Sequence, residues 1–447
     1  MRVDITALKE VQRINAFHFR VMALCALLLF LDGFDLMAMG FVARDIAMEL
    51  ALSPQQLGLA FSAGVLGMCI GAVAFGVLGD RWGRRPSTIV ACLVFGIGTL
   101  LTAWASHLDT LLLWRFIAGI GLGGGTPLAL SLAADYSPKR IRGTVSMVLY
   151  CGYTVGCLSG GAVNTVLAGS GWQALFYVGG VFTLAFVPVL IVWLPESLEQ
   201  LVKSGKGAAA GKILERIRPD FIARSTDVYE CESASESGVR GKVAELFRHG
   251  AGVKTLLLWA AFFSGLLSLY FYGNWLPTML RQMGFSQQQA VAGSIVGQFG
   301  NLFLSLVMAK LIGKVPVSRV IGITYILSGG LMLSVSIVGS DYPSQLAVNA
   351  LAFGLLAGSL GGLYALAPAI YAPSVRATGT GWAMGVGRVG AVLGPSIAGV
   401  LMSNQWTAIE VLKLAAVPTA LAGVFCLLIE LTSKAPVASG VATGELS

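Results

Sequence analysis

Twelve times along this chain, about 20 or more predominantly apolar residues follow one another, enough for a helix to cross a bilayer. The segments run roughly over 19–43, 54–79, 87–106, 109–135, 143–168, 172–194, 253–280, 286–311, 317–339, 343–370, 379–403 and 407–431. In lipid every backbone polar group needs an internal partner, so such segments are helices or strands of a closed barrel. The outward-apolar alternation of a barrel is absent. The expected fold class is therefore an all-α polytopic membrane protein. Composition agrees: 12% of the 447 residues are charged and mean hydropathy is +0.78, whereas soluble domains carry about 25% charge. The 57 glycines suit close helix packing in lipid.

The connections are short except residues 195–252, a polar stretch rich in Lys, Glu, Ser and Gly. It divides the helices six and six. The expected organisation is an N-terminal segment over 1–18, a first half over 19–194, a linker over 195–252, a second half over 253–431 and a tail over 432–447. Residues 208–219 and 240–249 have helical patterns within the linker. An even number of spans puts both termini on one side. Basic residues cluster there: Arg2, Lys9, Arg13 and Arg20 at the start, three each near 80, 140 and 315, and nine in the linker. The opposite loops carry essentially Arg44 and Arg281. This asymmetry places the termini and linker in the cytoplasm. The net charge of +8 is thus read as topology, not as a nucleic-acid footprint. The seven cysteines lie mostly inside apolar segments without a CxxC, and the three histidines are scattered. They read as packing residues, with no metal site expected. Residues 1–20 mix acids and bases, unlike a cleaved signal.

An internal repeat joins the halves. "YSPKRIRGT" (136–144) returns as "YAPSVRATGT" (371–380), and "LSPQQLG" (52–58) as "FSQQQAV" (285–291), at a spacing of 233–235 residues. Two six-helix halves repeated in parallel are a transporter architecture, with the binding site near the midplane between them.

Charges inside the spans carry the chemistry. "LLLFLDGFDLMAMGF" (27–41) puts Asp32 and Asp35 on one face of segment 1, three residues apart. Intramembrane carboxylates are costly and mark function. "RFIAGIGLGGG" (115–125) puts Arg115, a permanent cation, in segment 4. Counting from the outer helix ends at 1.5 Å per residue, Asp35 lies roughly 12 Å and Arg115 roughly 9 Å deep. The two charges are level, so a pair between segment 1 and Arg115 is expected. Two carboxylates beside one arginine form an acid whose proton affinity follows conformation. The plainer alternative is that an aspartate caps a helix break at Gly33.

Between segments 2 and 3 stands "GVLGDRWGRRPS" (76–87). The pattern resembles the cytoplasmic loop signature of the major facilitator superfamily. Gly76 and Gly83 permit tight packing and a sharp turn. Asp80 suits a latch at a helix end, and Arg84 and Arg142 are expected near Asp135. The counterpart "LIGKVPVSRV" (311–320) lacks the acid, and no latch is expected there. The glycines after Arg115 resemble the superfamily motif linked to proton coupling. "LYCGYTVGCLSGGAV" (149–163) lacks the Gly-Pro pair of drug antiporters, which disfavours an exporter, although "GPSIAG" (394–399) occurs on segment 11.

"FLDGFDLMAMGF" (30–41) resembles the D-G-x-D signature of the aromatic acid:proton symporters. "WLPES" (193–197), "NWLPTML" (274–280) and "RATGTGWAMGVGRVGAVLG" (376–394) support the likeness, and Arg44 departs from it where the family often has proline. The resemblance implies proton and substrate coupling at Asp32 and Asp35, with Arg115 in proton coupling. It implies a conformational latch at Gly76, Asp80, Gly83, Arg84, Asp135, Arg142 and Arg376. Arg388, beside Gly385, Gly387 and Gly390, suits a bidentate bond to a substrate carboxylate, and a structural ion pair is its alternative. Aromatic ligands want flat walls with few polar anchors. Tyr153, Tyr270, Tyr272, Asn274, Gln298 and Asn301 are the candidates, with Tyr150, Trp275 and Tyr364 beside them; packing roles compete for each.

The expectation is a monomeric carrier in a bacterial-type cytoplasmic (inner) membrane. It imports an aromatic carboxylate with protons, uses the proton gradient, and has no cofactor or nucleic-acid partner. The rivals are a carrier of a non-aromatic organic anion, such as a sugar acid or dicarboxylate, and a carrier-fold sensor. The cytoplasmic parts are too small for a signalling domain. No nucleophile triad, metal spacing or nucleotide loop points to an enzyme.

Overall fold

Twelve helices are long and apolar enough to span a membrane in the computed structural model. The structure describes residues 2–4, 14–167, 169–217, 228–230, 243–247, 252–312, 314–338, 341–371 and 375–434. The first half holds α1 (Ala16–Glu49), α2 (Pro54–Trp82), α3 (Arg84–Thr102), α4 (Leu108–Asp135), α5 (Arg142–Val166) and α6 (Gln173–Trp193). The second holds α7 (Gly252–Gln282), α8 (Gln287–Ile312), α9 (Val317–Ser334), α10 (Tyr342–Ile370), α11 (Arg376–Ser403) and α12 (Ala408–Lys434).

The repeated sequences start and end equivalent helices. Ser53 and Gln56 bond reciprocally at the start of α2, and Ser286 and Gln289 do the same before α8. Tyr136 and Tyr371 are both buried where α4 and α10 end. The two halves also share a packing plan. Helix α2 packs on α4 and α1 on α5, as α8 packs on α10 and α7 on α11.

Glycine makes these crossings close. A Cβ on Gly119 would lie 2.1 Å from the Gly64 carbonyl oxygen, and one on Gly123 would lie 2.0 Å from that of Met68. Helix α4 therefore presses its backbone on α2, and Arg115 is held one turn away. Helix α1 runs unbroken through Gly33. That glycine is a contact point, not a break: its Cβ would lie 2.1 Å from the Tyr153 carbonyl oxygen of α5.

The linker departs from two α-helices. Leu198–Lys203 and Gly207–Ile217 are helical, and Asn15 Nδ2 donates to the Arg216 and Ile217 carbonyls. The second expected helix appears only as a 3-10 stretch, Val243–Phe247; its flanks lie outside the described residues. A short parallel ladder, Arg2–Asp4 with Val228–Glu230, qualifies the all-helical expectation.

The halves meet away from the termini. Near that far face, Gln55 N–H donates to Ser403 Oγ at 2.9 Å, and Ser62 Oγ bonds the Val392 carbonyl and Ser396 Oγ. A Cβ on Gly58 would lie 2.7 Å from the Pro395 carbonyl oxygen, and one on Gly399 would lie 2.5 Å from that of Pro54. Arg281 pairs with Asp45 at 3.5 Å, linking α7 to α1. Toward the terminus face, Gly76 of α2 and Gly381 and Gly385 of α11 have nothing within 4 Å of where a Cβ would be. Among the described residues these contacts between the halves lie at the far face, and the three glycines mark stretches of α2 and α11 with room beside them toward the terminus face.

Candidate functional site

The two aspartates of α1 sit in different surroundings. Asp35 is 1% exposed and Arg115 is 5% exposed. Arg115 Nη1 donates to Asp35 Oδ1 at 3.2 Å and Nη2 to Oδ2 at 2.9 Å. Thr99 Oγ1 adds a bond to Oδ1 at 2.9 Å, and the guanidinium lies 5.6 Å from the Phe176 ring centroid. A buried charge pair needs such extra donors to offset its lost hydration. The pair uses two of the five guanidinium N–H groups of Arg115.

Asp32, 5% exposed, has a single side-chain partner among the described residues. Thr126 of α4 donates to its Oδ2, while Oδ1 is buried with no hydrogen-bond partner. Tyr150, Tyr153 and Tyr270 lie within its electrostatic reach. Across the cleft, Arg388 of α11 is part-buried and makes no ion pair among the described residues. Its electrostatic neighbours are Tyr270, Tyr364 and Cys69. Tyr270 is thus common to Asp32 of one half and Arg388 of the other. Asn274, one turn beyond Tyr270, lines a narrow cleft with Arg115, Phe61 and Met39.

A buried charge pair inside two glycine-packed six-helix halves is the setting in which comparison with known proteins is informative. A sequence model of the Major Facilitator Superfamily matches residues 25–335. The chain belongs to the major facilitator superfamily. The 4-hydroxybenzoate transporter PcaK of Pseudomonas putida is 34% identical over 435 residues, covering 97% of each chain. The 3-(3-hydroxy-phenyl)propionate transporter of Escherichia coli is 34% identical over 382 residues, covering 85% of this chain and 86% of its own. Among solved structures, a D-xylose–proton symporter superposes with a TM-score of 0.72 at 18% identity, covering 92% of this chain and 97% of that one. A bacterial homologue of the human lysosomal transporter Spinster, inward-facing, gives 0.69 at 18% identity, covering 94% and 98%. This facilitator is a transporter and not an enzyme.

Other candidates of the facilitator fall elsewhere. Tyr272 is fully buried within the second half. Its hydroxyl donates to Asn349 Oδ1 and its ring stacks on Phe353, with centroids 6.1 Å apart. It does not line the cleft, because residues two apart on a helix point to nearly opposite sides. Tyr270 and Asn274, four apart, share the cleft face. Trp275 is likewise core, donating to the Pro395 carbonyl at 3.0 Å. Gln298 is buried against Met37 of α1, and Asn301 accepts from Ser305 within α8.

The loop motif divides in two. Arg84 pairs with Asp135. Arg142 does not join them; its Nε donates to the Ser137 carbonyl at 3.1 Å, because the 3-10 turn Lys139–Ile141 brings it back over its own loop. Gly83 has a φ of +105°, and its Cβ would lie 2.3 Å from Glu196. Glu196 Oε1 accepts from the Arg84, Arg85 and Ser197 backbone N–H groups. It thus supplies an anion at the start of α3. Ser197 Oγ donates to Asp135 Oδ2 at 2.7 Å. Asp80 and Arg376 are exposed and make no ion pair among the described residues, and a Cβ on Gly76 would have nothing within 4 Å. In the second half Arg319 pairs with Glu430 instead.

Sequence reasoning passed over Thr99, Thr126, Glu196 and Ser197. "WLPES" carried a usable signal for the last two, an acid just beyond a span that ends at a basic loop. The threonines carried none, since hydroxyls are frequent in membrane helices.

Proposed function

We propose that this facilitator imports a small aromatic carboxylate together with protons across the cytoplasmic (inner) membrane, as a monomer and without a cofactor. The observation that carries the reading is Arg388: a part-buried cation with no acid partner among the described residues, near tyrosines of α7 and α10. Arg115, by contrast, is already paired with Asp35. A carboxylate would meet Arg388 by a charge-assisted bidentate bond, with its ring among Tyr270, Tyr364 and the α5 tyrosines. The relatives' names, hydroxybenzoate and hydroxyphenylpropionate transporters, support this substrate class.

In this reading the basic loops orient the terminus face toward the cytoplasm, and the contacts at the far face belong to an inward-facing conformation. In this reading Asp80 and Arg376 are two parts of a latch released in this state, and the Arg84–Asp135–Glu196 node stays within one half. Asp35 exchanges a proton when conformational change separates it from Arg115. Uptake of labelled 4-hydroxybenzoate into energised vesicles tests the whole reading. It is expected to collapse with a protonophore. Uptake indifferent to the proton gradient would overturn symport, and thermal stabilisation only by sugar acids or dicarboxylates would overturn the substrate class.

A further inference from the structure

Asp32 poses a question that coupling does not answer. One carboxyl oxygen is held by Thr126; the other is buried, unpartnered, and belongs to a side chain 5% exposed. An unpaired buried polar atom is costly, so such an oxygen persists where something else completes it. The neighbours it senses are the tyrosines of the central cleft, and one of them, Tyr270, is also a neighbour of Arg388. Tyr270 of α7 thus lies between the influence of Asp32 on α1 and that of Arg388 on α11, one from each half.

We propose that Asp32 Oδ1 receives a ring hydroxyl of the substrate, making Asp32 the residue that selects hydroxylated aromatic acids over unsubstituted ones. The proposal rests on Arg388 holding the carboxylate, as above. With that end fixed on α11, the far edge of the ring is carried toward α1. A hydroxyl there satisfies Oδ1 in either protonation state: it donates to the carboxylate, or accepts from the carboxylic acid. A bare ring edge leaves Oδ1 unpaired. Sites built to bond a hydroxyl reject analogues lacking it far more strongly than apolar pockets separate a methylene. The division of labour on α1 follows. Asp35 is tied to Arg115, and Asp32 faces the ligand. A 2-hydroxyl lies beside the carboxylate and bonds to it internally, so it cannot reach Asp32; 3- and 4-hydroxyls can.

Equilibrium binding to the purified carrier in nanodiscs, without a proton gradient, separates this from coupling. Wild type is expected to bind 4-hydroxybenzoate about tenfold or more tighter than benzoate, 2-hydroxybenzoate and 4-methoxybenzoate. In Asp32→Ala the ratio of 4-hydroxybenzoate to benzoate affinity is expected to fall toward one. Asp32→Asn, which keeps a hydrogen-bonding group, is expected to retain most of it. Equal binding of 4-hydroxybenzoate and benzoate by wild type would overturn the proposal, as would an undiminished ratio in Asp32→Ala. If Asp32→Ala binds neither acid, the wild-type comparison of hydroxy- with methoxybenzoate decides. A wild type that binds no aromatic acid would overturn the proposed function itself.

Discussion

Arg115 and Arg388 are both cations inside spanning helices, and they live under opposite conditions. Arg115 sits in the first half with two bonds to Asp35, a threonine donating to the same carboxylate, and a phenylalanine ring beside its guanidinium. Arg388 sits in the second half with no acid partner among the described residues, near tyrosines. A satisfied buried charge holds a structure together or changes state with it. An unsatisfied one waits for an anion. Under the proposed reading, this asymmetry divides coupling from recognition between two copies of one six-helix plan.

Breaking the satisfied side should have the largest effect. Asp35→Ala leaves Arg115 buried and uncompensated, at about 3–5 kcal/mol. Asp35→Asn keeps the shape and removes the charge. Both are expected to abolish accumulation, and Asp35→Ala to lower the melting temperature as well; normal accumulation by Asp35→Asn would remove Asp35 from the mechanism. Arg388→Ala sharpens the contrast, since it breaks no protein ion pair. Ligand affinity should fall by about 2–5 kcal/mol while the ligand-free melting temperature holds. A large loss of intrinsic stability would show Arg388 to be structural. Gly33→Ala forces a methyl against the Tyr153 carbonyl and should cost about 1–3 kcal/mol, read by melting. Unchanged melting would mean that α1 and α5 are less tightly apposed than described. Thr99→Val removes one bond from the Asp35 cluster, at about 1 kcal/mol. The smallest effect belongs to Asp45→Ala, which loosens an ion pair at the far face. Such part-exposed pairs contribute about 0–1 kcal/mol, and unfolding in denaturant would reveal any excess.

Much of this was readable in the chain because the bilayer restricts what a sequence can do. Twelve apolar segments, basic loops on one side and a 233–235-residue repeat leave few folds open. Depth counted along the helices brought a carboxylate of α1 level with Arg115. It could not choose between Asp32 and Asp35, because both share a face and the choice depends on Thr99 and Thr126, which are 64 and 94 residues distant. The error over Tyr272 was avoidable in principle. Helical periodicity separates it from Tyr270, but an aromatic run draws attention to composition before angle. Arg142 was placed near Asp135 by sequence distance alone, and the 3-10 turn between α4 and α5 redirected it.

The far-face seal has a further consequence. At Gly58 and Gly399 the closure of α2 on α11 is made by backbone meeting backbone, with Ser62 and Ser396 bonding beside them. Carbon added at either glycine would be a wedge in this contact, and under alternating access it would bear on one state of the carrier alone. Replacing Gly58 or Gly399 with alanine should therefore shift how long the protein dwells facing each side of the membrane while leaving the ligand contacts intact. The resting posture of this molecule can be retuned by two methyl groups, independently of what it carries.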